Sequence, residues 1–474
     1  KPARYTAGEM GAVVKTPTPG MLRYAFCFPD LYEVGMSHLG MKILYSHANR
    51  REDVWCERVF APDLDMETAM REMEVPLYGL ESLDPICTFD LIGFTLQYEL
   101  CYTAVLNMLD LAGLPVRAAE RTAAFPLVVC GGPCASNPEP LADFVDVFSL
   151  GEGEEVSDEL FDCCQRAKRE DWDKPRLLRE LAQIGGLYVP SLYEASYHAD
   201  GTVAAVCPKP ESGAPAVVQK RVIADLDGVF YPETFVVPFL DIVHDRAVVE
   251  LFRGCVRGCR FCQAGFIYRP IREKSAQTLV KNSKNLLTST GYDELGLSSL
   301  STSDYGSLEP LLDELLGWTE ARHVNLSLPS LRIDNFSPEL LEKVSSVRKS
   351  GLTFAPEAGT QRMRDVINKN ITEQNVLETC RTAFLGGYTA VKLYFMMGLP
   401  TETMEDIEGI AALAQKVVDL YYSMPEKPKG KAVSVNISVA CFVPKPHTPF
   451  EFEPQDSMEL LEQKQKRLLA CVRS

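Results

Sequence analysis

Glu250-Leu-Phe-Arg-Gly-Cys255-Val-Arg-Gly-Cys259-Arg-Phe-Cys262-Gln-Ala-Gly-Phe-Ile-Tyr-Arg-Pro-Ile-Arg-Glu273 is the stretch that decides how the rest of this 474-residue chain is read. Three cysteines stand as C-x3-C-x2-C, and Gly254 and Gly258 let the backbone between them turn tightly. A [4Fe–4S] cube has four irons, each ordinarily held by one cysteine thiolate. Three thiolates from one loop hold three corners and leave the fourth iron open for a ligand. A structural zinc site wants four protein ligands, and no Cys or His follows Cys262 before His323. The spacing therefore favours a cluster over a local zinc finger or three unrelated buried thiols.

Composition sets the frame around that loop. At 474 residues the chain is long enough for two or three domains. Its 46% hydrophobic and 24% charged content is ordinary for a globular protein, and it has no uninterrupted apolar run of about 18 residues. Residues 1–20 lack the apolar core of a signal peptide. Fifteen cysteines, an odd number with Cys163 and Cys164 adjacent, do not read as a disulfide framework. Thiolates that hold a cluster need a reducing compartment, so a cytoplasmic location is expected. The formal charge of −17 disfavours nonspecific attraction to nucleic acid or membranes. A local exception is the cysteine loop, where Arg253, Arg257, Arg260, Arg269, Arg272 and Lys274 stand against Glu273 alone.

Outward from the loop, the pattern alternates strand and helix in both directions. Short apolar runs at 22–28, 54–60, 90–96, 125–130 and 145–150 predict strands, and 36–49, 63–73 and 99–112 predict helices. Such alternation implies a parallel sheet with ligand loops at the strands' carboxyl ends. Residues 161–240 read as a bridging region with a hairpin around Asp200-Gly201. A second series follows over 241–450, with strands expected at 247–252, 294–305, 324–334, 352–360, 390–400 and 433–443 where loops are included. Residues 1–20 read as an N-terminal arm. Residues 451–474 read as the start of a C-terminal helical extension, cut off at Ser474.

The run Arg253 to Glu273 resembles the cluster loop of the radical S-adenosylmethionine (SAM) superfamily, whose signature is C-x3-C-x-aromatic-C. The likeness is to a subgroup with an N-terminal cobalamin-binding-type domain, and it spans residues 21–450. It implies an α/β chain in which a Rossmann-like parallel-sheet domain (21–160) precedes a partial (β/α)6 TIM-type barrel (241–450). The implied cofactors are a [4Fe–4S] cluster, SAM and cobalamin, with Cys255, Cys259 and Cys262 as the metal ligands. On the same footing Phe261 and Gly398 would flank the adenine, Ser301 would lie near the methionyl amine, and Ser330 would come from the third-strand loop. Glu357 would accept from the ribose hydroxyls and Arg362 would pair with the SAM carboxylate. In the first domain, Gly131-Gly132-Pro133, then Asp146, then Gly151-Glu-Gly-Glu154 resemble the corresponding run of cobalamin-binding domains, in which the Gly-Gly pair lies against the nucleotide tail. Thr95 occupies a place where such domains present a hydroxyl. The D-x-H-x-x-G motif that supplies a lower-axial histidine is missing. His38 has Ser37 beside it and Gly40 only two residues on, and reads as a helix-start residue.

The implied reaction is reductive cleavage of SAM to methionine and a 5′-deoxyadenosyl radical, with cobalamin-dependent methyl transfer to an unactivated carbon. An electron donor such as flavodoxin or ferredoxin is the implied partner. Two rivals differ in class. A methylthiotransferase-type enzyme would carry a second cluster, for which Cys27, Cys56 and Cys87 are the available thiols. A non-enzymatic sensor of cobalamin or of a cluster would have no use for a set of SAM contacts.

Overall fold

The computed structural model describes residues 1–328, 333, 352–427 and 430–472. They form two compact units, Lys1–Asp245 with Lys284–Gly291 and Arg246–Ser283 with Tyr292–Ser474.

The first unit is built on one six-stranded sheet. Its strands are β1 (Leu22–Phe28), β2 (Val54–Phe60), β3 (Leu91–Thr95), β4 (Leu127–Gly131), β5 (Val147–Ser149) and β6 (Leu187–Tyr188). They lie in the order β2-β1-β3-β4-β5-β6 and pair in parallel, except that β6 runs antiparallel to β5. The strands are near-continuous apolar runs because both faces are covered. Phe26, Phe28, Val54 and Cys56 face the helices Leu39–Asn49 and Gly153–Arg169, through Met41, Tyr45, Val156 and Phe161. Ala25, Cys27, Val59 and Phe94 face the helix Tyr102–Leu111, through Val105, Met108 and Leu109. The strand order reverses between β1 and β3, the switch point at which an open sheet leaves a crevice beyond its carboxyl ends.

Residues 1–20 have no apolar periodicity, yet polar bonds tie them down. Glu9 accepts from Arg58, which also donates to Glu81 at 2.7 Å; all three side chains are buried. Lys15 donates to the carbonyls of Asn49, Arg51 and Val54 at 2.9, 2.6 and 2.6 Å. Trp55 Nε1 donates to the Val13 carbonyl at 3.0 Å. Nothing in the sequence marks these bonds, because a segment held by buried ion pairs looks like any polar stretch. A further hairpin, β7 (Tyr193–Tyr197) with β8 (Val203–Pro208), stands where the Asp200-Gly201 turn predicts it.

The second unit carries β9 (Ala247–Glu250), β10 (Phe252–Arg253), β11 (Arg272–Glu273), β12 (Glu294–Ser298), β13 (Asn325–Ser327), β14 (Leu352–Glu357), β15 (Ala390–Met397) and β16 (Ser434–Cys441). The six longer β/α strands form two parallel runs, β9-β12-β13 and β14-β15-β16, in chain order, as in a partial (β/α)6 barrel. The helices Glu373–Leu385 and Met404–Ser423 cover β14–β16 through Cys380, Phe384, Ile407, Ile410 and Val417. The short antiparallel pair β10–β11 closes the base of the cysteine loop, which leaves β9 at its carboxyl end.

Candidate functional site

The cysteine loop is held at its base and along its length. Gly254 has φ +94°, and a Cβ there would come within 2.9 Å of the carbonyl oxygens of both Tyr268 and Pro270. Only glycine allows the two ends of the loop to approach this closely. Cys262 N donates to the Cys259 carbonyl at 3.1 Å, and Gly265 N to the Cys262 carbonyl at 3.2 Å, so the last two cysteines share one tight turn. Cys259 is buried, and Cys255 and Cys262 are half-buried. Burial pushes the Cys262 thiol up, with nearby Cys255 adding to it and Lys369 opposing it. Among the described residues no three of His, Cys, Asp or Glu are grouped to hold a single metal ion. A cube places each thiolate on a different iron, so its ligands stand further apart than those of one zinc. Three thiols on a tight, partly open loop fit the donor set of a cube with one free corner.

The basic side chains of the loop build it. Arg257 makes two bonds to Asp304, at 3.1 and 2.5 Å, and Ser301 Oγ donates to the same carboxylate at 2.7 Å. Ser301, 1% exposed, thus fixes the cysteine loop through Asp304, a residue that sequence reasoning did not single out. Arg253 donates to Glu250 at 3.0 Å, and buried Lys274 lies 3.5 Å from the other oxygen of that carboxylate. Arg260, Arg269 and Arg272 donate to backbone carbonyls of Val366, Arg257 and Pro270.

A second strand end is stitched to this loop. Arg260 N donates to the Ile367 carbonyl at 3.0 Å, and Asn368 Nδ2 to the Gly258 carbonyl at 2.8 Å. Phe261 packs with Ala358, Met363, Ile367 and Leu399, which brings it beside the turns that follow β14 and β15. Glu357 ends β14 with φ +69°, next to a register shift against β15. A left-handed glutamate costs about 1–3 kcal/mol and persists only where its surroundings over-determine it. Lys369 pairs with Glu357 at 3.2 Å and is itself buried. Lys369 is therefore a buried cation paired with Glu357, near enough for its charge to act on the Cys262 thiol, and neither residue lies in a sequence motif that would signal the pair. Arg364, fully buried, holds the turn by donating to the carbonyls of Ala358 and Ile371 at 2.9 and 3.1 Å.

Other expected SAM contacts are differently engaged. Arg362 is bonded to Asp406 and, at 3.0 Å, to the Thr401 carbonyl. Burial would raise the Asp406 carboxyl, but bonds from Arg362, Thr360 and Thr403 outweigh it and hold it at about 2. Gly398 donates its N–H to Glu402 at 2.7 Å, and Asp456 and Leu461 cover the place of its missing side chain. Ser330 lies outside the described residues.

In the first unit, the loops beyond β1, β3 and β4 meet. Leu96 N donates to the Gly131 carbonyl at 2.7 Å and Cys134 N to the Leu96 carbonyl at 3.1 Å. Gly132 has φ +93°, and a Cβ there would lie 2.8 Å from the Leu96 carbonyl oxygen. Gly132 is needed by the chain itself. Gly131 differs, since a Cβ would meet nothing closer than Ser149 at 3.8 Å. Thr95 Oγ1 accepts from Gln97 at 2.5 Å, and Tyr98 donates to Asp30 across the switch point. His38 caps its helix by accepting from Met41 N at 3.1 Å. Burial pushes its imidazole down to about 4, with a Gln97 hydrogen bond opposing. Asp146, by contrast, sits at the amino end of the sheet, where it accepts from Val128 N at 2.9 Å.

Comparison with known proteins follows the two units. The family model described as radical SAM proteins, N-terminal, matches residues 40–190, and that of the radical SAM superfamily matches residues 249–414. An uncharacterised protein of Methanocaldococcus jannaschii is 30% identical over 433 residues, 91% of this chain and 80% of its own. An uncharacterised methyltransferase of Pyrococcus horikoshii is 24% identical over 81% of this chain and 74% of its own. The ribosomal protein uS12 methylthiotransferase RimO of Leptospira biflexa is 26% identical over only 38% of this chain and 43% of its own. Among solved structures, the radical SAM methyltransferase TsrM from Kitasatospora setae, with cobalamin and a [4Fe–4S] cluster bound, has a TM-score of 0.59 at 14% identity over 91% of this chain and 77% of its own. The cobalamin-dependent SAM radical enzyme OxsB, with aqua-cobalamin and SAM bound, has a TM-score of 0.57 at 12% identity, over 94% of this chain and 62% of its own. At these identities the likeness to both is one of fold.

The chain belongs to the radical SAM superfamily. It is an enzyme of that class, for which a [4Fe–4S] cluster and SAM are the shared cofactors, and not a sensor. The methylthiotransferase likeness is distant. A second cluster on Cys27 and Cys56 is also excluded by the sheet, since the two thiols lie in the cores on its opposite faces.

Proposed function

We propose that this protein is a cobalamin-dependent radical SAM methyltransferase acting on an unactivated carbon, with Cys255, Cys259 and Cys262 as the cluster ligands. The observation that carries the reading is the bonding of the cysteine loop to the β14 turn, which sets three thiols, Glu357 and Lys369 in one region. When bound, the cluster and SAM supply reductive cleavage to a 5′-deoxyadenosyl radical, and cobalamin supplies a transferable methyl group. The chain's own groups bind and orient. Glu357 accepts from the ribose hydroxyls, and its left-handed backbone aims the carboxylate from the strand end. Lys369 suits the SAM carboxylate better than Arg362, whose guanidinium is committed to Asp406. Phe261, with Ala358 and Leu399, walls the adenine side from water. Ser301 acts as a positioning residue through Asp304.

Cobalamin is assigned to the carboxyl ends of the first sheet, against Thr95, Gly131 and Gly132. The unobstructed face of Gly131 and the fold shared with two cobalamin-holding enzymes support this. The Tyr98–Asp30 bond would have to open on uptake. The proposed division is a cobalamin domain at 21–160, a bridge at 161–240, a barrel at 241–450 and a helical extension from 451. We place the enzyme in the cytoplasm, with flavodoxin or ferredoxin as reductant. Among the described residues no helix is long and apolar enough to cross a membrane. Anaerobic reconstitution with iron, sulfide, cobalamin, SAM and dithionite tests the reading. It expects 5′-deoxyadenosine and cobalamin that stays with the protein through gel filtration. Full iron without 5′-deoxyadenosine would sink the SAM assignment, and cobalamin lost on the column would sink the cobalamin one.

A further inference from the structure

A complete β/α barrel fills its interior with bulky branched side chains. The second half of this barrel does not. Along β15, Val391, Leu393, Phe395 and Met397 are buried with the covering helices, so Lys392, Tyr394 and Met396 point from the opposite, interior face. In β16, Val435, Ile437 and Val439 pack toward the same helices, which leaves Asn436 and Ser438 on the interior face. The register sets Asn436 beside Lys392 and Ser438 beside Tyr394, and Thr353 of β14 flanks Lys392 from the other side. Lys392, Asn436 and Thr353 are exposed, and Tyr394 is 40% exposed. Among the described residues none of these five side chains makes a hydrogen bond or an ion pair; Lys392 Nζ lies over the Tyr394 ring, 4.8 Å from its centroid. Other cations at the strands and cysteine loop of this unit have carboxylates: Arg246 has Glu294, Arg253 and Lys274 have Glu250, and Lys369 has Glu357. In a chain of formal charge −17, a cation left without one inside the barrel is an exception. The face also leads to the cysteine loop, because Met396 packs against the apolar cluster that takes Phe261. At about 3.3 Å per residue, the Lys392 and Met396 positions stand about 13 Å apart along the strand.

We infer that the substrate is a small organic anion, a carboxylate or a phosphate monoester, whose charge is met by Lys392 and whose apolar part lies over Tyr394 toward Met396. The inference rests on the proposed radical reaction, which needs the reacting carbon at the Phe261 end of this face. Lysine is a compact point charge with three donors, so it takes either oxyanion. Asn436, Thr353 and Ser438 add neutral donors around it. A charge-assisted bond is stronger than a neutral one, so an anion is preferred over its amide.

Calorimetric titration of the cluster-loaded full chain, with SAM present, tests this with 3-phenylpropionate and phenyl phosphate as probes and 3-phenylpropionamide as the neutral counterpart. At least one anion is expected to bind saturably, and the amide about tenfold or more weaker. Which of the two anions binds tells a carboxylate from a phosphate. Lys392→Met, at an exposed position, is expected to weaken the anion about tenfold or more and to leave the amide and the reconstituted iron unchanged. Lys392→Arg keeps the charge and is expected to keep the preference for anions. If Lys392→Met loses iron, Lys392→Gln takes its place. The inference is overturned if neither anion saturates, if the amide binds as well as the anions, or if removing the charge leaves anion binding as in the parent. Release of 5′-deoxyadenosine by the parent, measured without any probe, reads the proposed function separately. Its absence overturns that function, whereas normal release with binding that does not depend on Lys392 overturns this inference alone.

Discussion

Two glycine-bearing loops divide this molecule. In the cysteine loop, Gly254 turns the chain so that its three cysteines follow within eight residues, and the neighbouring strand end is tied on from outside by Arg260 and Asn368. At the carboxyl ends of the first sheet, Gly132 serves chain closure over Leu96, while Gly131 alone presents an uncrowded face. The two loops look alike as strand-glycine punctuation. The first gathers its chemistry locally; the second is a meeting of loops that follow strands far apart in the chain. A local motif depends on a few backbone angles, whereas a strand-end site depends on which loops the sheet brings together.

The largest expected effect breaks the local motif. Cys255→Ala, Cys259→Ala and Cys262→Ala are each expected to lose most of the reconstituted iron, read by iron assay and by the brown absorbance, while the first unit keeps its cobalamin. Retention of full iron in all three single variants would end the cluster assignment. Next, Gly254→Val is expected to lose iron almost as fully, because its side chain meets two carbonyls at 2.9 Å. Gly258→Ala meets only the Asn368 side chain at 3.0 Å and is expected to keep most of it.

The strand-end loops sharpen the contrast at smaller scale. Gly132→Ala is expected to cost about 1–3 kcal/mol of stability even without cobalamin, measured by denaturant unfolding. Gly131→Ala is expected to leave stability within about 1 kcal/mol and to weaken cobalamin retention alone. Equal destabilisation by the two would remove the distinction drawn between them. Tyr98→Phe, which cuts the bond to Asp30, is expected to speed cobalamin uptake without changing iron.

The smallest effect is a pH dependence. His38 is held at about 4, below its ordinary unfolded value of about 6.5. Between these values the unfolded chain binds the proton and the folded one does not, so stability rises with pH across that window and is lost as pH falls toward 4. His38→Asn keeps a helix cap and removes the titration, so its stability profile is expected to be flatter from pH 6.5 to 4. An unchanged profile would assign the slope to another group.

Several site residues are legible in the sequence. The three cysteines, the alternation of strands and helices, and the placing of Glu357 at a strand's end follow from spacing and periodicity, which are local in the chain. Other residues are not legible there. Asp304 and Lys369 matter because folding brings them to Arg257 and Glu357, and neither lies in a motif. Asp146 follows closely after the glycine pair in sequence but lies at the opposite end of the sheet, since a strand carries its two ends apart. The anchoring of residues 1–20 is likewise hidden, because Glu9 reveals nothing of Arg58, 49 positions away, until the two are buried together.

The sequence by itself determined the superfamily, the three-cysteine loop and the α/β order of both units, because each rests on residue types at short, fixed separations. Only the tertiary structure decided which glycine has an uncrowded face, which arginine is already spent on Asp406, and where a buried cation meets Glu357. Those are properties of side chains from distant positions competing for the same few ångströms. No periodicity in one dimension records the outcome.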